Sequence, residues 1–477
     1  MVLATKQTSE VRRVVFSSYL GSTIEFYDFL LYGTAAALVF PAVFFSGLDP
    51  LTSVLFSFGT FAAGYLARPV GGVLFGHFGD RIGRKRMLVV TMFLMGVASF
   101  LIGLIPSAAV IGGWSAVLLI TLRVVQGIAV GGEWGGAALM ALEHSGGARR
   151  GLAASFVNAG APSGAVLGSL MMGLFALLPP DQFLSWGWRI PFLISAILLV
   201  IGLWVRSSVT ESPVFLQAMA EIEARAKADI ETRAMADIEV RANADNETRA
   251  MADNETRANA GVETGATRKP TGLPLLSVLR RPRALILTTF GAGAAFAFQV
   301  GMATFAQTYA VSHGTSRPTV LLGFSVASFL AIFAVIGAGW LSDRFGRRPV
   351  LLTGAVGWGL LAFPLFGLWG SGNGLLVFTG FALGLGLQSL MYGPLGAFIS
   401  EQFGTGARYT GASLGYQLAT LIGGGFTPAI LASLYAGTGG TRITPVATYL
   451  IAAATVSAIA VLLIREGRRH DLTTVTH

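Results

Sequence analysis

Twelve membrane-spanning helices, arranged as two pseudo-symmetric six-helix bundles, form the all-α membrane fold that this sequence predicts. Three observations carry that expectation. The 477-residue chain is 53% hydrophobic and only 12% charged, with a mean hydropathy of +0.67, whereas soluble domains carry about 25% charged residues. Its apolar runs are long enough to cross roughly 30 Å of hydrocarbon, and short polar turns separate them. One basic turn also occurs twice, each time after the second run of a set of six.

The runs begin near Val14, Thr52, Met87, Ser115, Leu152 and Trp188, and again near Ala284, Thr319, Val350, Gly374, Gly411 and Val446. They define one bundle over residues 14–206 and a second over 284–465. The polar stretch 1–13 reads as a cytoplasmic N-terminal segment. No small-residue cleavage site follows a short apolar core, so the first run is expected to be a retained helix. Residues 466–477 form a short cytoplasmic tail. Turns containing Arg81–Arg86, Arg149/Arg150, Arg344–Arg348 and Arg408 alternate with turns carrying only Arg189, Arg317 and Arg442. The positive-inside rule then puts both termini in the cytoplasm. Small residues such as Gly164/Gly168 and Gly423–Gly425 suit close helix packing.

Residues 207–283 form a cytoplasmic linker with an eight-residue repeat starting at Asp229, Asp237, Asp245 and Asp253. A period of eight matches neither 3.5 nor 3.6 residues per turn, so no apolar seam persists. The expectation is a solvated, partly helical or disordered link. Net charge +9 and a pI near 10.1 do not indicate nucleic acid, because the positive charge sits in short turns between apolar runs. The absence of cysteine excludes disulfides, thiol catalysis and thiolate metal sites. There is no phosphate-binding loop and no His-Glu-x-x-His, so an enzyme is not expected. Two similar halves favour alternating access over a channel.

The repeated turn reads Gly76-His-Phe-Gly-Asp80-Arg81-Ile-Gly83-Arg84-Lys85-Arg. Gly76, Asp80, Arg81, Gly83, Arg84 and Lys85 correspond, at one constant offset, to Gly339, Asp343, Arg344, Gly346, Arg347 and Arg348. Gly79 and Gly83 are expected to let the backbone reverse, and His77 to pack at the gate. A generic positive-inside loop would explain the Arg and Lys, but not Asp and Gly returning at the same places. The pattern resembles the signature loop of the major facilitator superfamily, between helices 2 and 3 and between helices 8 and 9. The resemblance implies the major facilitator fold and a gating role for these residues. Asp80 and Asp343 would bind a helix N-terminus or an Arg in one state and release it in another.

Few charges lie inside the apolar runs: Glu25, Asp28 and Glu133 among acids, Arg68 and Arg123 among bases. Such charges are costly in a bilayer and mark functional positions. At about 100° per residue, Glu25, Asp28 and Tyr32 share a face that Ser18 continues. Arg123, Gln126, Val130 and Glu133 fall within about a third of their helix's circumference. A carboxyl enclosed by apolar helix favours its neutral form, so Glu25, Asp28 and Glu133 are proton-coupling candidates. Two close carboxylates, Glu25 and Asp28, are expected to share one proton. Arg68 and Arg123 keep their protons and suit a carboxylate clamp. Static pairing, such as Arg123 with Asp28 or Glu133, is the competing role. Gln126, Tyr27, Tyr32, Trp134, Gln299, Gln388, Tyr392, Tyr416 and Gln417 are the remaining candidates for lining a substrate cavity.

These residues carry a closer resemblance. Gly-x-x-Ile-Glu25-Phe-Tyr27-Asp28-Phe, Arg68-Pro-x-Gly-Gly, Arg123-x-x-Gln126-Gly, Gly-Gly-Glu133-Trp134-Gly-Gly, Glu211-Ser-Pro-Val-Phe and Arg408-Tyr-Thr-Gly-Ala-Ser-Leu-Gly-Tyr416 are similar to the metabolite:proton symporter branch of that superfamily. The branch implies proton-coupled symport of a small organic acid: a dicarboxylate, 2-oxo acid, citrate or shikimate-like compound. It also contains carriers of proline and betaines, which is the alternative. Asn158-Ala-Gly-Ala-Pro162 departs from the branch, where a Gln near the Gly-x-Pro is commoner. The tail lacks the long coiled coil common among osmosensing members. The expected partners are a small organic anion, a proton and the bilayer of the cell (inner or plasma) membrane, with no cofactor, metal or nucleic acid. The expected state is a monomer.

Overall fold

The computed structural model describes residues 2–82, 84–134, 150–207, 282–403 and 408–467, with isolated positions at 228, 231, 232, 234, 235 and 278. Within these, the side chains of 2–14, 76–77, 79–82, 84–85 and 408–409 lie outside the description.

Every regular element among the described residues is helical. The first half contains α1 (Val2–Leu38), α2 (Pro50–Ile82), α3 (Arg84–Leu104) and α4 (Trp114–Gly131). It continues with α5, in two pieces (Arg150–Asn158 and Gly160–Phe175), and α6 (Arg189–Ser207). The second half begins with α7 (Pro282–Gly301), which runs through a wide turn at Met302–Ala306 into Gln307–Ser312. Then come α8 (Arg317–Phe345), α9 (Arg347–Trp369) and α10 (Gly374–Tyr392), followed by a short helix, Leu395–Ser400. The last two are α11 (Arg408–Thr420, a wide turn at Leu421–Gly425, then Thr427–Ala436) and α12 (Thr444–Leu463). Ten of these stretches are long and apolar enough to cross a membrane by length and composition. With α1 and α5 they give two sets of six. Leu360, Leu375 and Trp204 stand more than 70% exposed on the outside, where a bilayer supplies the apolar surroundings.

One expectation is corrected at the helix ends. α1 already runs from Val2, so the polar N-terminal segment is helical from that residue on. Gly79 does not reverse the chain: α2 continues through it to Ile82. In the second half the reversal is made by one residue, Gly346, at φ 105°, a conformation open to glycine and costly for residues with a Cβ. Its counterpart, Gly83, lies outside the described residues.

Glycines bring helices into backbone contact. A Cβ on Gly71 would meet the Ile128 carbonyl, and one on Gly131 the Arg68 carbonyl, which seats α2 against α4. Gly164 seats α5 on the backbone of α1 at Phe26 and Tyr27. Gly127–Gly131 is thereby a packing surface.

Met1–Thr210 and Pro274–His477 together form one compact unit, and Glu211–Leu273 a second. Apart from a few helical positions at 228–235, the octapeptide repeat lies outside the described residues.

Candidate functional site

Five intramembrane charges singled out in the sequence are buried: Glu25, Asp28, Arg68, Arg123 and Glu133 are each at most 6% exposed. They fall into two groups rather than one.

The first group lies inside the N-terminal bundle. Asp28 on α1 accepts a hydrogen bond from Ser195 of α6 through Oδ1, while its Oδ2 is buried without a partner. Ser99 of α3 also faces this carboxyl. On α4, Arg123 Nη1 donates to Gln126 Oε1 at 3.0 Å, and Gln126 Nε2 donates to Ser99 Oγ at 2.6 Å. The path from Arg123 to Asp28 thus runs through Gln126 and Ser99, without a direct ion pair. The Arg123 guanidinium carbon sits over the rings of Tyr32 (4.1 Å), Phe29 (4.3 Å) and Phe61 (4.9 Å). Its Nε and Nη2 have no hydrogen-bond partner. Gly64 makes room for it: a Cβ there would lie 2.6 Å from Arg123 Nε.

The second group lies nearer the end that bears the basic turns. Arg68 of α2 sits over Phe29 (4.2 Å) and Tyr65 (4.3 Å) and makes no ion pair among the described residues. Arg68 and Arg123 therefore share the Phe29 ring. Arg206 of α6 pairs with Glu133 just beyond α4. Glu25 has no hydrogen-bond or ion-pair partner among the described residues. Its charged neighbours are Glu133, Arg68 and Arg206.

This arrangement corrects three expectations. Arg123 does not pair with Glu133, because α6 brings Arg206 to that carboxylate instead. Glu25 and Asp28 do not form the close acidic pair, because Asp28 turns toward α6 and α3 while the acidic neighbour of Glu25 is Glu133. Arg68 and Arg123 are not the only buried bases, since Arg206 is 6% exposed. Arg206 stands at the last turn of α6, beside the polar linker, so the sequence places it with the linker charges. Phe29, Phe61, Tyr65, Ser99 and Ser195 are further site residues that sequence reasoning passed over. Only the i, i+4 placement of Phe61 and Tyr65 on α2 hinted at a shared face.

Tyr27 points away from this cluster and donates to the Pro191 carbonyl at 2.7 Å. Tyr32 donates to Thr60 Oγ1 at 2.6 Å while its ring supports Arg123. From the second half, Tyr392 and Tyr416 meet through their hydroxyls at 3.4 Å, and Phe296 packs edge-on against both rings. Trp134 stacks on Tyr416 at 3.6 Å. Gln417 Nε2 donates to the Gly131 carbonyl at 3.1 Å. Gln388 Nε2 donates to the Ala295 carbonyl at 3.4 Å, and Gln299 is buried on α7. These residues form the seam where the halves meet.

Contacts join the two halves on either side of the seam. At the basic-turn end, Asp343 accepts from the backbone N–H groups of Gly151 and Leu152, both at 2.8 Å, and so caps the start of α5. Arg347 holds Asp343 at 2.7 Å and Glu401 at 3.1 Å. Burial pushes the Glu401 carboxyl above its usual range, opposed by the Arg347 charge. Glu466, after α12, accepts from the backbone N–H groups of Arg347 and Arg348. Asn158 Nδ2 donates to the Tyr392 carbonyl at 2.8 Å. Toward the other end, Gly33 of α1 faces Thr304, and Gly424 packs on the Tyr65 hydroxyl. The side chains of Gly76, Asp80, Arg81, Gly83, Arg84 and Lys85 lie outside the described residues, and Arg344 is packed near Trp340.

Two six-helix halves closing over buried, unmatched charges define a membrane transporter, and the chain belongs to the sugar (and other) transporter family of the major facilitator superfamily, whose family model matches residues 14–464. It is 37% identical over 470 residues to the shikimate transporter of Escherichia coli K12, covering 98% of this chain and 97% of that protein. It is 38% identical to the inner membrane metabolite transport protein YhjE of the same organism, covering 96% and 95%. A proline/betaine transporter of Salmonella typhimurium is 30% identical, covering 89% of this chain and 78% of that one. In fold, the chain is similar to a crystal structure of a D-xylose–proton symporter, with a TM-score of 0.70 over 96% of this chain and 99% of that one, at 17% identity. The family is one of small-molecule transporters embedded in membranes, and not of enzymes.

Proposed function

We propose that this protein is a proton-coupled symporter of a small organic anion, working by alternating access with both termini in the cytoplasm. One observation carries the anion: Arg68 and Arg123 are buried guanidiniums held by aromatic faces, with no carboxylate paired to either among the described residues. A cation in such a place is costly unless an anion joins it. Arg68 is the binding residue. Only its Nε is sealed without a partner, whereas Arg123 has two sealed nitrogens and donates a third to Gln126. Arg68 also lies within electrostatic reach of Tyr392 and Tyr416 across the seam. Arg123 holds the Asp28 network. The proton sites belong to the group Glu25, Asp28 and Glu133, and a proton gradient is the only driving agent. The shikimate transporter is a relative covering nearly the whole chain, and a shikimate-like monocarboxylate fits a single forked guanidinium.

Uptake of a zwitterion such as proline or betaine is the second reading, favoured by the aromatic seam, which suits a quaternary ammonium. It ranks lower because Trp134 and Tyr416 stack face to face and occupy each other's surfaces. The deciding experiment is uptake into proteoliposomes under an imposed pH gradient, with shikimate, 2-oxoglutarate, citrate, proline and betaine compared. Accumulation of an organic acid that collapses with a protonophore is expected. Accumulation of proline or betaine alone would overturn the anion assignment.

A further inference from the structure

The pairing of Glu133 with Arg206 is not used in the transport scheme above, and it stands beside Glu25, a buried carboxyl with no hydrogen-bond or ion-pair partner among the described residues. Arg206 Nη2 meets Glu133 Oε1, while Arg206 Nε and Glu133 Oε2 are buried with no hydrogen bond. The pair is therefore held by a single contact, not by the two-pronged bond that a guanidinium and a carboxylate can make. The guanidinium also lies directly on α1. A Cβ on Gly21 would meet Arg206 Nη2, with Cζ at 2.9 Å and Nε at 3.1 Å. Gly21 and Glu25 are four residues apart on the same helix, so one face of α1 carries Glu25 one turn beyond the guanidinium. Arg206 is within reach of two carboxylates and is bound to one.

The titratable groups around Glu25 among the described residues come from five helices besides its own. Arg68 comes from α2, Arg206 from α6, Glu133 from the end of α4, and Tyr392 and Tyr416 from α10 and α11. Asp28 follows on α1 itself. The membrane portions of α3 (Met87–Leu104), α5 (Gly151–Phe175) and α7 (Ala284–Thr308) contain no ionisable side chain. Among the described residues, Glu25 thus has two possible counter-ions, Arg68 and Arg206. In the scheme above, the substrate anion takes Arg68. If Arg206 were free, it would move one turn along α1 and keep Glu25 ionised.

We infer that Glu133 acts as a guard: it occupies Arg206 so that Glu25, once the substrate anion has taken Arg68, is left without a counter-ion and takes up a proton. Glu133 and Arg206 are then positioning residues, and Glu25 is the protonatable member at this end of the bundle. Asp28, with its own network, remains a separate site. A single anion arriving at Arg68 calls for a single proton at Glu25, and the linkage works equally in both directions.

This inference rests on the proton-coupled anion reading, and the test separates the two. Shikimate uptake into proteoliposomes is measured from pH 5 to 9, normalised to folded transporter by gel filtration. Wild type that fails to accumulate shikimate or any of the other acids under a pH gradient would sink the underlying reading. Given accumulation, Glu133→Gln releases Arg206 toward Glu25. The pH profile should then move to the acid side by about one unit or more, the scale for gaining an adjacent opposite charge. The double variant Glu133→Gln/Arg206→Gln removes the released cation and should bring the profile back toward wild type. Rescue is the diagnostic result, because a purely structural pair would change folded yield without moving the profile. Loss of coupling at every pH in both variants, with exchange retained, would make Glu133 the proton carrier and overturn the guard. If Glu133→Gln does not fold, Glu133→Asp serves: the shorter side chain loosens the pair and should give a smaller acid shift. An unmoved profile in a folded variant overturns the inference.

Discussion

Asp343→Asn is expected to open the seam at the basic-turn end while leaving the substrate site intact. In the closed state described here, the two carboxylate oxygens of Asp343 accept from Gly151 and Leu152 N–H, each at 2.8 Å, and Arg347 braces the same carboxylate at 2.7 Å. An amide keeps one acceptor and loses the other. It also loses the charge that faces the start of α5. A hydrogen bond to a charged group contributes ~1.5–3 kcal/mol, and the helix-end interaction ~0.3–1 kcal/mol. The closed state should lose about 2 to 4 kcal/mol relative to the open one. At 1.4 kcal/mol per factor of ten, the open population rises roughly 30- to 700-fold. The chain has no cysteine, so one introduced thiol reports without background. Ala154 and Ala397 are buried against each other across the seam. In Ala154→Cys, maleimide labelling should be slow, and adding Asp343→Asn should speed it at least tenfold. Shikimate binding in detergent should change less than threefold. Equal labelling rates with and without Asp343→Asn would refute the gate assignment. Lost binding with unchanged labelling would place Asp343 in the substrate site instead.

Arg68→Lys should raise the apparent Kd for an organic acid at least tenfold, because an ammonium cannot reproduce the forked contact; calorimetry on purified protein checks it, and wild-type affinity would remove the clamp. Gly346→Ala forces a Cβ onto a backbone at φ 105°, 3.1 Å from Glu466 Oε2, and should cost ~1–3 kcal/mol. A thermal midpoint in detergent equal to wild type would contradict that. Deleting Glu221–Arg257, which spans the octapeptide repeat, should leave uptake per folded molecule within about twofold, because a flexible link has only to span the gap; a larger fall would assign the repeat a role.

Hydropathy and one repeated turn were enough to determine the fold class, the two halves and the membrane setting. Each is a local property: the apolar runs, the Gly and Asp of Gly76–Lys85, and their echo at Gly339–Arg348. Five of the buried charges were equally legible, since Glu25, Asp28, Arg68, Arg123 and Glu133 stand out against apolar neighbours. Who pairs with whom was not, because pairing is set by helix rotation and by which glycines let which side chains in. Glu133 meets Arg206 because Gly21 leaves room for that guanidinium against α1, and Arg123 lies flat on α2 because Gly64 has no side chain. Nothing in the local pattern of α6 marks Arg206 as buried, for it stands beside the polar linker in sequence and inside the bundle in space. The carboxylates Glu25 and Asp28, which a helical wheel puts on one face, part company because Ser195 and Ser99 draw Asp28 inward while Glu25 faces Arg68 and Glu133. Sequence alone singled out five of the charges buried in the first bundle; only the packing of six helices added Arg206 to them and decided which of them were left unmatched among the described residues.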